Sequence, residues 1–489
     1  MITQPLLADP TPIPTLRDLK IDGGTIVSAL RDDAPTILID GKPREKVPPR
    51  TVLKILLNPA RGSNINVEIW LPDAAAWNGR MVGLGNGGPA GSIHDGTLLG
   101  PFLQGYATVT TDMGTAPNPE SGVKNPEVWK DFGFRATHLM TTAARQVIKA
   151  HYGKDAEYAY FVGGSTGGQQ ALQEAQRYPE DYDGIIANIP AHCRTPLHAY
   201  FLWNEQILKK CPFTPAQKAG IQQAGVDYMA PRQVPALAGK CIADPRHTPR
   251  DIEGVIKLAR QRDATLTDAQ ADALRKIFDG PRRADTGERI FDGIPFGSSF
   301  DSAQGNLYLF EWAFDGAKPM DEINFGADID AYTARLGPYL NAENPDLTPF
   351  QKRGGKLIMV SGADDSVVPY HATLDYYERV IAQCGGLEKT RAFCRFFLIP
   401  GMAHGGQGNG LGGPPNLLKT VEAWREKGTA PAEEICKRVV DGKTELELPI
   451  YPYPQQTAWD VATQTYHPVD GPRGGVDAVA ARFRPAAAE

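Results

Sequence analysis

Apolar positions along this chain follow two rhythms. Short, nearly continuous apolar runs at Arg80–Leu84, 106–111, 159–162, 184–189 (GIIANI), 356–360 (KLIMV) and 395–399 (RFFLI) read as buried β-strands. Segments with apolar residues three and four apart, at 134–151, 168–177, 268–278 and Tyr370–Gln383, predict amphipathic helices. Arg80–Leu84 is the first clear strand, and there is no internal repeat. Strands that alternate with helices imply a parallel sheet covered on both faces.

The alternation stops near Cys193 and resumes near 346. The intervening residues mix helical stretches with Pro- and Gly-rich segments and carry little strand signal. The simplest organisation is one α/β core, formed by residues 1–192 and 346–489, interrupted by an insertion at 193–345. Ligands of such sheets bind beyond the carboxyl ends of the strands, where an insertion acts as a lid.

Composition narrows the classes of function. The chain has 489 residues, 42% of them hydrophobic and 22% charged, enough for a substantial buried core. The formal net charge of −6 and the lack of a Lys/Arg-rich run argue against a nucleic-acid partner. No apolar run approaches 18 residues, so no membrane span is expected. The N-terminal stretch lacks the basic and apolar regions of a secretory signal. Six cysteines (Cys193, Cys211, Cys241, Cys384, Cys394, Cys436) form no CxxC pair and no zinc-finger spacing, and no metal or cofactor is expected. Two pairings, Cys384 with Cys394 and Cys211 with Cys241, stay open at this level.

The chemistry concentrates in three loops, each after an expected strand. Gly163-Gly164-Ser165-Thr166-Gly167 fits G-x-S-x-G between a strand and a helix. That context places a serine on a tight turn with its hydroxyl above the sheet and a helix N-terminus alongside. A serine needs a base, and this architecture orders the set as serine, acid, histidine. KLIMV is followed by SGADDSVVP and RFFLI by PGMAHGG, which supplies Asp364 or Asp365 as the acid and His404 as the base. His371 is the nearest rival base but starts a helix, while His94 and His138 precede the serine. An oxyanion needs N–H donors. The expected ones are the amide of Thr166 and that of Gly87 or Gly88, in the glycine-rich GLGNGGPAG after Arg80–Leu84. That stretch is not G-x-G-x-x-G opening a helix, so a nucleotide is not expected there. The fold class expected is therefore the α/β-hydrolase core with a large inserted lid domain.

Together the stretches GLGNGG, DFGFRATHLMT, GGSTGGQQAL with YPEDYDGIIANIPA, DLTPFQKRGGKLIMVSGADDSVVPY, FFLIPGMAHGG, VEAWREKGTAP and YPYPQ resemble the tannase/feruloyl esterase family of α/β-hydrolases over residues 55 to 455. The resemblance implies a serine carboxylic ester hydrolase working through an acyl-enzyme, with a small-molecule aromatic or phenolic ester (feruloyl, galloyl or related) as substrate. Its acid stands four residues before a proline, which selects Asp365 over Asp364, with Pro369 as the proline; its base corresponds to His404. The competing readings are a non-catalytic ligand-binding homologue and an acyltransferase or lactonase using the same triad.

Two departures from the family pattern stand out. The cysteines that usually follow the histidine and precede the serine, joined as a disulfide, are here Gly405 and Gly164. With that staple absent, a reducing, cytoplasmic setting is expected. The lid region that usually holds calcium keeps only Asp227 and Asp244 between 225 and 246, too few for a hard cation. The family's lid also walls the acyl pocket with aromatics. Among Phe201, Trp203, Tyr308, Trp312 and Phe314, the substrate-binding candidates are Trp312 and Phe314, with core packing the plainer role for each.

Overall fold

In the computed structural model, residues 11–39, 41–117, 120–299 and 307–474 are described. The centre is a ten-stranded sheet in the order β1-β2-β3-β4-β6-β5-β7-β8-β9-β10. The strands are β1 (Thr11–Pro12), β2 (Gly24–Asp32), β3 (Arg50–Leu57), β4 (Ile65–Pro72), β5 (Arg80–Leu84), β6 (Ala107–Thr111), β7 (Tyr158–Gly164), β8 (Gly184–Asn188), β9 (Lys356–Gly362) and β10 (Cys394–Ile399). From β6 through β10 every neighbour is parallel, whereas β1 to β4, and β4 to β6, pair antiparallel.

The parallel sheet expected from the alternation of strands and helices is the half from β6 through β10, and Arg80–Leu84 (β5) lies within it. An antiparallel wing precedes it. Its strands are covered less evenly, as β3 shows: Val52, Lys54 and Leu56 lie outward of neighbours that are buried. Half-covered strands lack the unbroken apolar run that marks the parallel half.

Side chains of the parallel strands alternate between two cores, as the two-residue period requires. Met81, Ile185, Leu357, Met359 and Phe396 enter one core; Val82, Ile186, Ile358, Val360 and Phe397 enter the other. The second core is closed by α1 (Asp95–Phe102) and a C-terminal helix, Leu417–Lys427, through Leu98, Phe102, Val421 and Trp424. The first is closed by α2 (Ala136–Tyr152) and α3 (Thr166–Arg177).

Between β8 and β9 the described residues include the helices α4 (Arg194–Lys210), α5 (Pro215–Met229), α6 (Pro249–Arg262), α7 (Asp268–Asp279), α8 (Tyr308–Ala313) and α9 (Ala327–Leu340). Capping boxes start α5 at Thr214 and Gln217, α6 at Thr248 and Asp251, and α7 at Thr267 and Gln270. After β9, α10 spans Tyr370–Gln383, and two hairpins, Glu434–Val440 with Lys443–Ile450 and Gln455–Asp460 with Thr465–Asp470, end the described chain. No described helix is long and apolar enough to cross a membrane.

Candidate active site

Ser165 sits between β7 and α3 with φ 58 and ψ −116, a backbone conformation that costs a non-glycine residue energy and recurs at functional turns. The turn is over-determined by its neighbours. Ser165 N–H donates to Asn188 O at 3.0 Å, and Ser165 O accepts from Ala191 N–H at 3.0 Å. A Cβ at Gly163 would lie 2.1 Å from the carbonyl oxygen of Gly167, so only glycine lets strand and helix approach this closely.

Ser165, Asp365 and His404 converge although they are far apart in sequence. His404 Nε2 is 3.0 Å from Ser165 Oγ, and His404 Nδ1 is 2.9 Å from Asp365 Oδ2. Asp365 is fully buried, and its other oxygen accepts from the N–H groups of Val367 at 2.9 Å and Val368 at 2.8 Å. One carboxylate oxygen is thereby fixed by backbone and the other is aimed at the imidazole. Parallel pairing puts the three loops side by side: Asn188 is level with both Gly164 and Val360, and Gly362 with Ile399. A Cβ on Gly362 would fall 2.0 Å from the Met402 carbonyl, so this glycine lets the acid and histidine loops touch.

Asp364, the other acid in the loop, is 3% exposed, and burial pushes its carboxyl up to about 8. Among the described residues no hydrogen bond or ion pair joins it to His404, whose partners are Asp365 and Ser165. His371 is buried against Tyr370 and His247, with its pKa driven well below the usual histidine value by burial. His94 lies beside Ser92 Oγ at 3.0 Å, and His138 Nδ1 beside Asp181 Oδ2 at 2.6 Å.

Around the expected oxyanion donors, the glycine-rich loop is tied to α3. Gly167 N–H donates to Asn86 O at 2.7 Å, Asn86 N–H to Gln170 Oε1 at 2.8 Å, and the Thr166 hydroxyl to Gly88 O at 2.6 Å. The N–H groups of Gly87 and Gly88 have no acceptor among the described residues. As the first residue of α3, Thr166 has an N–H with no acceptor inside the helix.

Trp312 lies in the core. Its ring is wholly buried, edge-on to Phe132 at 5.6 Å and to Tyr308 at 5.4 Å, and it occupies the space a Cβ on Gly122 would need. Phe314 is partly exposed, with Lys318 Nζ 5.5 Å from its ring centre. Asp227 and Asp244 are each paired with an arginine, Arg262 and Arg246. Among the described residues one group, His192, Cys193 and Glu343, brings three ligand-type atoms together. There the Glu343 carboxylate already bonds His192 Nδ1 and the Arg379 guanidinium; burial opposes its ionisation, but Arg379 and His192 hold it at about 2. All six cysteines are unpaired.

Arg194, Asn86 and Gln170 belong to this environment and carry no signature of their own in the sequence. The one available hint is a charged residue opening the largely apolar run TPLHAYFLW.

The sheet, the strand–serine–helix turn and the order of the three loops define an α/β-hydrolase. The family model for tannase and feruloyl esterase matches residues 51–315 and 313–467, and the chain belongs to that family. It is 29% identical to an uncharacterized esterase of Xanthomonas campestris pv. campestris, across 96% of this chain and 92% of the relative. It is 30% identical to feruloyl esterase B of Aspergillus niger, across 76% of each. Among solved structures, feruloyl esterase B from Aspergillus oryzae superposes with a TM-score of 0.78 at 22% identity, covering 92% of this chain and 98% of that one. Tannin acyl hydrolase from Aspergillus niger superposes with a TM-score of 0.74 at 19% identity, covering 93% and 94%. The protein is a carboxylic ester hydrolase.

Proposed function

We propose that the protein hydrolyses phenolic carboxylic esters, feruloyl, galloyl or closely related, through an acyl-enzyme on Ser165. The observation that carries this reading is the continuous relay from Ser165 Oγ through His404 to the buried Asp365. Ser165 Oγ attacks the ester carbonyl carbon while His404 Nε2 takes its proton, and the carbonyl oxygen becomes an oxyanion. The N–H of Thr166 and that of Gly87 or Gly88 receive this charge. Collapse breaks the bond to the alcohol, whose oxygen takes the proton from His404. Water then repeats the sequence on the acyl-enzyme and releases the acid, restoring Ser165. Asp365 keeps the imidazole in the tautomer with the proton on Nδ1 and stabilises the imidazolium.

In this reading residues 1–192 and 346–489 form the hydrolase core, and 193–345 form the lid over it. Phe314 is kept as a candidate contact for the aromatic ring. The substrate class follows from relatives named feruloyl esterase and from the shared family. A cytoplasmic location belongs to the same reading, because Gly164 and Gly405 replace the cysteine pair the resemblance leads one to expect. The test is a panel of feruloyl, galloyl, terephthaloyl and short aliphatic esters. The proposal expects kcat/KM for a feruloyl or galloyl ester to exceed the aliphatic values by about 10-fold or more. Preference for aliphatic esters would overturn the substrate class.

A further inference from the structure

Arg194, the first residue of α4, is 4% exposed, yet no carboxylate lies within ion-pairing distance of it among the described residues. Its Nε donates to Gln169 Oε1 at 2.8 Å, its Nη2 donates to Thr166 Oγ1 at 2.7 Å, and its Cζ lies over the Phe132 ring, 5.2 Å from the ring centre. Every acceptor it has is neutral. One helical turn on, His198 is fully buried with both ring nitrogens unpartnered, and burial drives its pKa well below the ordinary value, so it stays uncharged. The hydroxyls of Tyr308 and Tyr332 are also buried and unpartnered. A guanidinium stripped of water and left without an anion is an unfavourable arrangement unless it serves something.

What it touches is the residue after Ser165. Guanidinium N–H groups can only donate, so the Thr166 hydroxyl accepts from Arg194 and must direct its own hydrogen elsewhere. That hydrogen goes to Gly88 O at 2.6 Å. The polarity of the chain is therefore fixed: Arg194 to Thr166 hydroxyl to Gly88 carbonyl. Charge at its head strengthens the second bond. Among the described residues, the relay joins the acceptor-free N–H of Thr166, at the start of α3, to those of the Gly87–Gly88 turn. Gln169, the other partner of Arg194, donates through Nε2 to Leu340 O at 2.8 Å, which ties the same hub to the end of α9.

We propose that Arg194 is a positioning residue for the oxyanion hole, acting through the Thr166 hydroxyl to hold the Gly87–Gly88 turn in register with the N–H of Thr166. This rests on the reading of those amides as oxyanion donors. Donors fixed before reaction need no rearrangement when charge develops, so the relay acts on kcat. The developing oxyanion is also the negative charge that the buried guanidinium lacks.

The experiment compares Thr166→Val, Thr166→Ser, Arg194→Met and the Thr166→Val/Arg194→Met double variant on a nitrophenyl ester, with fluorophosphonate labelling and thermal midpoints alongside. Thr166→Val keeps the backbone N–H and the side-chain shape but loses the hydroxyl. It should lower kcat by about 10-fold or more, with KM within about twofold. Thr166→Ser should recover most of that loss. The double variant should be no slower than Arg194→Met, because both changes break one chain. Thr166→Val turning over at the wild-type kcat, or two costs that multiply in the double variant, would overturn the proposal. If Arg194→Met does not fold, the Thr166 pair decides alone. Failure of the wild type to label at Ser165 would strike the underlying reaction instead and is scored separately.

Discussion

Asp365 and His404 meet at 2.9 Å across the loops that follow two neighbouring parallel strands. The aspartate reaches the imidazole with one oxygen only, because the amides of Val367 and Val368 hold the other. This asymmetry fixes what Asp365→Asn should do. The asparagine carbonyl would stay on the two amides and present an N–H to His404 Nδ1, driving the imidazole proton onto Nε2, where it cannot accept from Ser165. The account expects kcat to fall by about 10³–10⁴-fold with the thermal midpoint little changed. A variant within about 10-fold of wild type would separate Asp365 from the reaction.

Asp364→Asn should behave in the opposite way, leaving turnover close to wild type. At neutral pH the carboxyl raised to about 8 is mostly protonated, and an amide has nearly its shape. The sign of the linkage follows from the raised value. The native state binds a proton that the unfolded chain releases near 4, so stability is full below that pH and is lost as pH rises toward 8. Asparagine removes this loss. Relative to wild type, its thermal midpoint should rise by at least about 2 °C between pH 5 and pH 8. A constant difference across that range would mean that Asp364 is ionised throughout.

A disulfide should be installable where the chain has glycine. A Cβ at Gly164 would meet its nearest neighbour at 3.7 Å, and one at Gly405 would meet nothing within 4 Å. These residues flank Ser165 and His404, whose side chains lie 3.0 Å apart. Gly164→Cys/Gly405→Cys should cross-link on oxidation, shown by a thiol count two lower than in the reduced form. It should stabilise the fold by about 2–4 kcal/mol in denaturant titration. Cysteines that stay reduced under oxidising conditions would contradict the loop arrangement.

Neither reductant nor chelator should inactivate the enzyme. The six cysteines are unpaired, and arginines occupy Asp227 and Asp244. Turnover measured before and after dithiothreitol or EDTA treatment should agree within about twofold, since a metal needs charged oxygens that these ion pairs withhold. Inactivation by EDTA would reveal a metal held elsewhere.

The parallel half of the sheet was legible because buried strands are apolar on both faces: Arg80–Leu84 has the bounds its pattern suggests, and so does the amphipathic helix Tyr370–Gln383 that follows β9. The three loops of the site were legible for the same reason, since each follows such a strand. The antiparallel wing was not, because residues such as Lys54 break its apolar runs. Trp312 shows a second limit. An aromatic residue reads the same whether it lines a pocket or fills a core, and only its contacts with Phe132, Tyr308 and Gly122 decide. The relay from Arg194 to Gly88 joins residues far apart in sequence through a hydroxyl and a carbonyl, and neither group leaves a pattern in sequence.

The central claim is that Ser165 is the nucleophile, and mass-spectrometric mapping of a fluorophosphonate adduct, paired with turnover of Ser165→Ala, tests it most directly. The account predicts a single adduct on Ser165 in the wild type, none in the variant, and a loss of kcat of at least about 10⁴-fold. An adduct on another residue, or a Ser165→Ala protein that still hydrolyses esters within about 10-fold of the wild-type rate, would contradict it.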